Sequence, residues 1–177
     1  PALHRTPSTG FRLTVGIGCN QVRVAYTGDT APLHRHVAAI RGLHLLVHDA
    51  TSPTPDPRHA TYGHSSAVHA VDGAIAAEVR AVLLAHVGAQ WDERAAHDPL
   101  HFHPHLQAAR EHLSGILASR AQGAPAPPEV VLAADGLVGR FTPGPAGPTL
   151  SWCWPASLRD GAYRLVPQAT ASVNRQG

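Results

Sequence analysis

The chain has 177 residues, enough for one domain with its own core or for part of a larger domain. Its formal net charge is +2 with a pI near 9.0, and all 14 basic residues are Arg. That mild balance gives no reason to expect a nucleic-acid-binding surface. Arg or His interrupts every apolar run well short of the ~18 residues of a membrane span, so no membrane segment is expected.

Histidine is in excess, with 14 residues against three each of Trp, Tyr and Phe. Neutral imidazole is a ready ligand for Zn, Fe or Mn, so the excess favours a metal site, although many of these side chains belong on helix surfaces. Cys19 and Cys153 are far apart and lack CxxC spacing, which points to a reducing compartment and gives neither a zinc knuckle nor a disulfide framework. The start at Pro1 has no charged n-region or apolar h-region. A cytoplasmic protein, present here as part of a longer chain, is the expectation.

Taken in order, residues 11–15 and 21–26 are two β-rich runs joined across Gly16-Ile17-Gly18-Cys19-Asn20, which reads as a hairpin. The second run ends at Gly28-Asp29. Pro32 then opens a predicted helix, with Leu33, Val37 and Ile40 at helical spacing up to Gly42. Residues 43–47 are a short apolar strand ending in His48-Asp49-Ala50-Thr51. Residues 52–62 carry Pro without periodicity and read as a loop. After Gly63-His64, a helix is predicted with Ser65 or Ser66 as its N-cap and Ala67, Val71, Ala74, Ile75 and Val79 on one face. Residues 82–85 form a third strand ending at His86, 107–119 a helix, and 130–133 a fourth strand followed by Asp135. Strands alternating with helices argue for a mainly parallel sheet with covered faces. Beyond Phe141 the chain becomes Pro/Gly-rich, so 1–141 is expected to form the domain and 142–177 a tail. That tail carries two short candidate strands, residues 150–154 and 163–166.

The strand tips therefore present Asp29, Asp49, His86 and Asp135, with His64 at a helix start and His4 ahead of the first strand. An isolated Gly-Asp after a strand is usually an ordinary turn. Several His and Asp converging on the C-terminal edge of a parallel sheet are a different matter, because open α/β sheets place their ligands there.

The motifs carrying these residues are His4 with Gly10-Phe11-Arg12, then Tyr26-Thr27-Gly28-Asp29-Thr30, Leu46-Val47-His48-Asp49-Ala50-Thr51, Gly63-His64-Ser65-Ser66-Ala67, Val82-Leu83-Leu84-Ala85-His86 and Leu132-Ala133-Ala134-Asp135-Gly136. In order and spacing they resemble the C-terminal half of the metallo-β-lactamase superfamily, closest to its tRNase Z-like phosphodiesterase branch. The resemblance implies an α/β fold, mainly the C-terminal half of an αββα sandwich, and a metal-dependent hydrolase with two divalent ions, zinc first and Mn or Fe as alternatives. It implies His4 as ligand of one metal, Asp29 as the carboxylate bridging both and His86 as ligand of the other. His64 would be the general acid, with Asp49 or a neighbouring carboxylate fixing its tautomer. Two cations would make hydroxide from water at neutral pH and screen the phosphate, and an imidazole would protonate the leaving oxygen.

The family's His-x-His-x-Asp-His motif is absent from these 177 residues. Without it each metal keeps two of the three protein ligands typical of a catalytic zinc. A segment or second chain carrying that motif is therefore the expected partner, and the sheet face it would cover is expected to drive association, self-association included. The run His101-Phe102-His103-Pro104-His105, with His97 and Asp98 before it, is the nearest substitute. Pro104 argues instead for a His-rich surface loop. The short segment between His4 and Asp29 leaves no room for the protruding tRNA-binding arm of tRNase Z-like enzymes, and Ala89-Gln90-Trp91 replaces their Arg-Tyr pair. These departures turn the expected substrate towards another phosphodiester or ester. The alternatives are a lactone or thioester hydrolase, or a non-catalytic module that keeps the fold for binding or scaffolding.

Overall fold

The computed structural model describes residues 6–33, 36–87, 103–121, 123–133, 136–154 and 164–165. Within them the chain runs β1 (Phe11–Val15), β2 (Val22–Tyr26), β3 (Leu45–Asp49), α1 (Pro57–Tyr62), α2 (Ala67–Ala76), β4 (Ala81–Ala85), α3 (His103–Ser119), β5 (Glu129–Leu132), β6 (Val138–Thr142), β7 (Thr149–Cys153) and β8 (Arg164–Leu165). The main sheet has the order β1-β2-β3-β4-β5-β8. Its inner strands β2 to β5 are parallel, while the edge strands β1 and β8 run antiparallel to their neighbours. β6 and β7 form a separate antiparallel pair.

The two faces of this sheet differ in cover. Ala25, Leu46, Val82, Leu84, Val130 and Leu132 point to one side, where they pack with Ala67, Ala70, Val71 and Ala74 of α2 and Leu106, Ala109 and Leu113 of α3. Burying parallel strands under crossover helices in this way gives their near-continuous Val/Leu/Ala composition. On the other side Phe11, Leu13 and Val15 pair with Tyr26, Val24 and Val22. There the β1 side chains stay 60%, 53% and 55% exposed.

The β6–β7 pair lies at the opposite end of the sheet from the strand tips. Phe141 sets its ring edge-on to His44, Arg80 donates to Pro148 O, and the Trp152 indole N–H donates to Glu129. Among the described residues, no helix is long and apolar enough to cross a membrane.

Three local expectations are corrected. In place of a helix over 32–42, the described residues of that stretch hold one 3-10 turn, Val37–Ile40. It has neither a side-chain cap nor a charged residue in its end turns, and is held instead by Val37 and Ile40 against the core and by the Arg12 guanidinium on Ala39 O. The loop over 52–62 contains α1, whose Asp56 side chain caps Arg58 N–H, whose Pro57 opens the first turn and whose Gly63 ends it at φ 83°. Finally, Pro104 does not break structure. It sits in the first turn of α3, where Pro costs no hydrogen bond. His105 is consequently buried, with Nε2 3.5 Å from Thr51 O, and is no part of a surface loop.

Candidate metal centre and active site

β2, β3 and β4 end side by side, and that edge gathers the polar tips. Thr27 N–H bonds Val47 O, Asp49 pairs with Ala85, and Ala50 N–H bonds Ala85 O. Asp29, Asp49 and His86 thus leave adjacent strands at one level. Gly28 makes the turn that carries Asp29. Its φ is 64°, and a Cβ there would lie 2.7 Å from Ser8 Oγ and 3.0 Å from Thr9 O, so only glycine fits without strain. His86 is also left-handed, at φ 53°. A non-glycine residue in that region is uncommon and clusters at functional positions.

His64 arrives from the other side, held between two helix ends. Its N–H bonds His59 O beyond the Gly63 turn of α1, and two residues later Ser66 caps α2, accepting from His69 N–H in a reciprocal capping box. Ser65 Oγ ties this link to Thr30 O at 2.7 Å. The helix cap that was legible in the sequence therefore also fixes the imidazole.

Asp49 is the anchor behind His64. Its side chain is fully buried and accepts four hydrogen bonds: Thr30 N–H at 3.0 Å and His64 Nδ1 at 2.8 Å on one oxygen, Thr51 N–H at 3.0 Å and Thr51 O–H at 2.7 Å on the other. Such a carboxylate has both acceptor oxygens satisfied by protein donors. It requires the Nδ1–H form of His64, leaving Nε2 as the atom that gains or loses the mobile proton. Thr27 O–H donates to Gly28 O and its oxygen accepts from Asp49 N–H, linking the two motifs.

Asp29 and His86 form a second pair, Oδ1 to Nδ1 at 2.6 Å, with both side chains 38% exposed. The His64 and His86 rings stand edge to face with centroids 5.0 Å apart. One ligand atom each from Asp29, His64 and His86 lies within 4.8 Å of the others. The structure thus brings together four of the five sequence-expected residues, the buried Asp49 behind and the accessible Asp29 and His86 in front of His64. His4 lies outside the described residues, as do Asp135, the 89–91 segment, His97, Asp98 and His101. A nitrogen/oxygen donor set of this kind suits Zn, Mn or Fe.

Further polar residues support the site without having been singled out from sequence. Thr27, Thr30 and Thr51 lie inside the quoted motifs, but only the folded contacts reveal them as the donors and acceptors around Asp49. His48 points to the helix side. It is fully buried and donates Nδ1–H to Asp49 O at 2.6 Å, and burial holds its imidazole below its ordinary pKa of 6.5.

Known proteins share parts of this sequence and its fold. The chain is 36% identical over 76 residues to ribonuclease Z of Saccharolobus islandicus (strain M.14.25 / Kamchatka #1), a stretch covering 43% of this chain and 26% of that protein. It is 37% identical over 73 residues to ribonuclease Z of Sulfurisphaera tokodaii, covering 41% and 24%. The matched stretch therefore spans about a quarter of the length of these relatives. Among solved structures, the metallo-beta-lactamase fold protein YhfI from Bacillus subtilis superposes with a TM-score of 0.52 at 16% identity, covering 76% of this chain and 45% of that one. No family model matches the chain.

Proposed function

We propose that this chain, which has the metallo-β-lactamase fold and is related in sequence to ribonuclease Z, is the acid-bearing part of a metal-dependent phosphodiesterase. The observation that carries the reading is the convergence of Asp29, His64 and His86 with a buried Asp49 behind His64. Asp29 and His86 would hold metal, joined by His4. Divalent ions bound there would supply an activated water and neutralise phosphate charge.

The chain's own residues supply the rest. Asp49 keeps His64 in one tautomer and one orientation. The imidazole then holds a proton at Nε2 and can deliver it to the oxygen that leaves phosphorus. Because Asp49 is sealed from solvent whereas Asp29 and His86 are half-open, Asp49 acts as a positioning residue and the other two meet ligands.

His4, Asp29 and His86 are too few for two fully ligated ions. In this proposal a segment or second chain bearing His-x-His-x-Asp-His completes the centre and covers the open face of β1 and β2. Coverage of 45% of the structural neighbour and 26% of the ribonuclease Z relative supports that division. Cys19 and Cys153, both free and exposed, suit the reducing cytoplasm in which we place the activity.

The test uses the full-length protein with Zn or Mn and two substrates, a dinucleotide and bis(p-nitrophenyl) phosphate. His64→Ala should lower the rate on the dinucleotide about 10²- to 10⁴-fold. It should barely affect the p-nitrophenolate ester, whose leaving group needs no proton. Equal losses on both would remove His64 from the acid role, and no hydrolysis of either would favour a binding or scaffold module instead.

A further inference from the structure

A cavity of about 320 Å³ opens between the start of β1, the end of β2 and the 3-10 turn. Its volume is at the lower end for small-molecule sites, room for one ring-sized group with its attachments. Buried Ala25, Leu33 and Ile40 are among its lining and make that part apolar. At the exposed rim, the Arg12 guanidinium reaches from β1 to donate to Ala39 O at 3.0 Å, and His36 adds an imidazole. Among the described residues, no carboxylate lines it. The cavity thus presents an apolar interior and a cationic edge.

Its position relative to the metal candidates is fixed by the chain. Thr27 and Thr30 both line it, and Asp29 lies between them. Thr30 N–H also donates to the Asp49 oxygen that holds His64. A ligand filling the cavity therefore touches Thr27 and Thr30, the two ends of the turn that carries Asp29. Ring systems linked to an anion match such a lining, because the ring takes the dry interior and the anion stays near arginine.

We infer that this cavity seats the nucleoside of the mononucleotide unit attached to the scissile phosphate. This rests on the phosphodiesterase reading above and adds what that reading leaves open, a recognition element for one nucleotide.

The experiment separates binding from turnover. Calorimetric binding of thymidine 5′-monophosphate is measured on the full-length wild type, Ala39→Trp and Arg12→Ala, with circular dichroism to verify folding. In parallel, hydrolysis of thymidine 5′-(p-nitrophenyl) phosphate is compared with that of methyl p-nitrophenyl phosphate. Filling the cavity in Ala39→Trp should weaken nucleotide binding about tenfold or more. It should raise KM for the thymidine ester by a like factor, with the methyl ester unchanged. Arg12→Ala should weaken binding in the same direction without occupying space. Unchanged binding in both variants, or no binding to the wild type, overturns the inference, while hydrolysis of the methyl ester would leave the phosphodiesterase reading in place. Binding lost in Ala39→Trp without hydrolysis of any ester would keep the cavity and remove that reading.

Discussion

Asp49 carries more of the site than any other single side chain, because four donors depend on one buried carboxylate. Asp49→Asn keeps the shape but replaces one acceptor oxygen by a donor facing donors. Breaking such a buried charged network costs about 3–5 kcal/mol. The urea midpoint should fall accordingly, and the surviving fold should lose His64-dependent turnover because the imidazole tautomer is no longer set. A variant as stable as the wild type would show that Thr30, Thr51 and His64 find other partners. Asp29, Asp49, His64 and His86 were legible in the sequence for a simple reason. Each sits where a strand or helix pattern stops, and parallel strands bring their C-terminal ends to one edge. The Thr27, Thr30 and Thr51 contacts were not legible, since they join residues whose proximity depends on strand order. Nor was His105, which becomes buried through packing of α3.

Helix boundaries show which signals are local and which are tertiary. An N-cap at Ser65 or Ser66 was readable because cap and periodic face occur together, and the fold selects Ser66, whereas α1 has its Asp-Pro start and Gly stop but is only six residues long, too short to show a period. Over 32–42 the apolar spacing instead reflects Leu33 and Ile40 reaching the core from an irregular segment. At the α2 terminus stability and function are coupled. Ser66→Ala removes the acceptor for His69 N–H and should cost about 1 kcal/mol. It should also lower turnover, because the same turn holds His64. Ser66→Asp restores the acceptor and should recover both. Thermal melts and single-turnover rates on the three proteins measure this, and activity intact in Ser66→Ala would show that Ser65 alone fixes the loop through Thr30.

Across the whole molecule, buried histidines set the acid limit and, on the proposal above, one exposed apolar face sets the state of association. Burial is the largest cause lowering the imidazoles of His44, His48 and His59 below 6.5, aided at His44 by Arg80 and Arg23. The unfolded chain therefore takes up protons near pH 6.5 that the fold refuses. Stability is full above that pH and declines as pH falls below it. Urea midpoints should drop from pH 7 to pH 5, and His48→Leu should flatten that decline. At pH 7 it should cost about 1 kcal/mol for the lost Nδ1–H bond to Asp49 O, whereas the buried Nε2 has no partner among the described residues to lose. The open face obeys a different physics. Phe11, Leu13 and Val15 sit in a row on the edge strand, more than half exposed, directly opposite Tyr26, Val24 and Val22. A contiguous apolar strip of that kind tends to be covered by a partner. On the proposal above the occupant is the segment bearing the His-rich motif, so disrupting the strip should also empty the metal centre. Leu13→Asp with Val15→Asp changes only solvent-facing positions and leaves the helix-side core intact. Sedimentation should show weaker association with that segment, and metal content by atomic absorption should fall together with it. Association lost with full metal retained would separate the face from the site and leave the missing ligands to be found elsewhere.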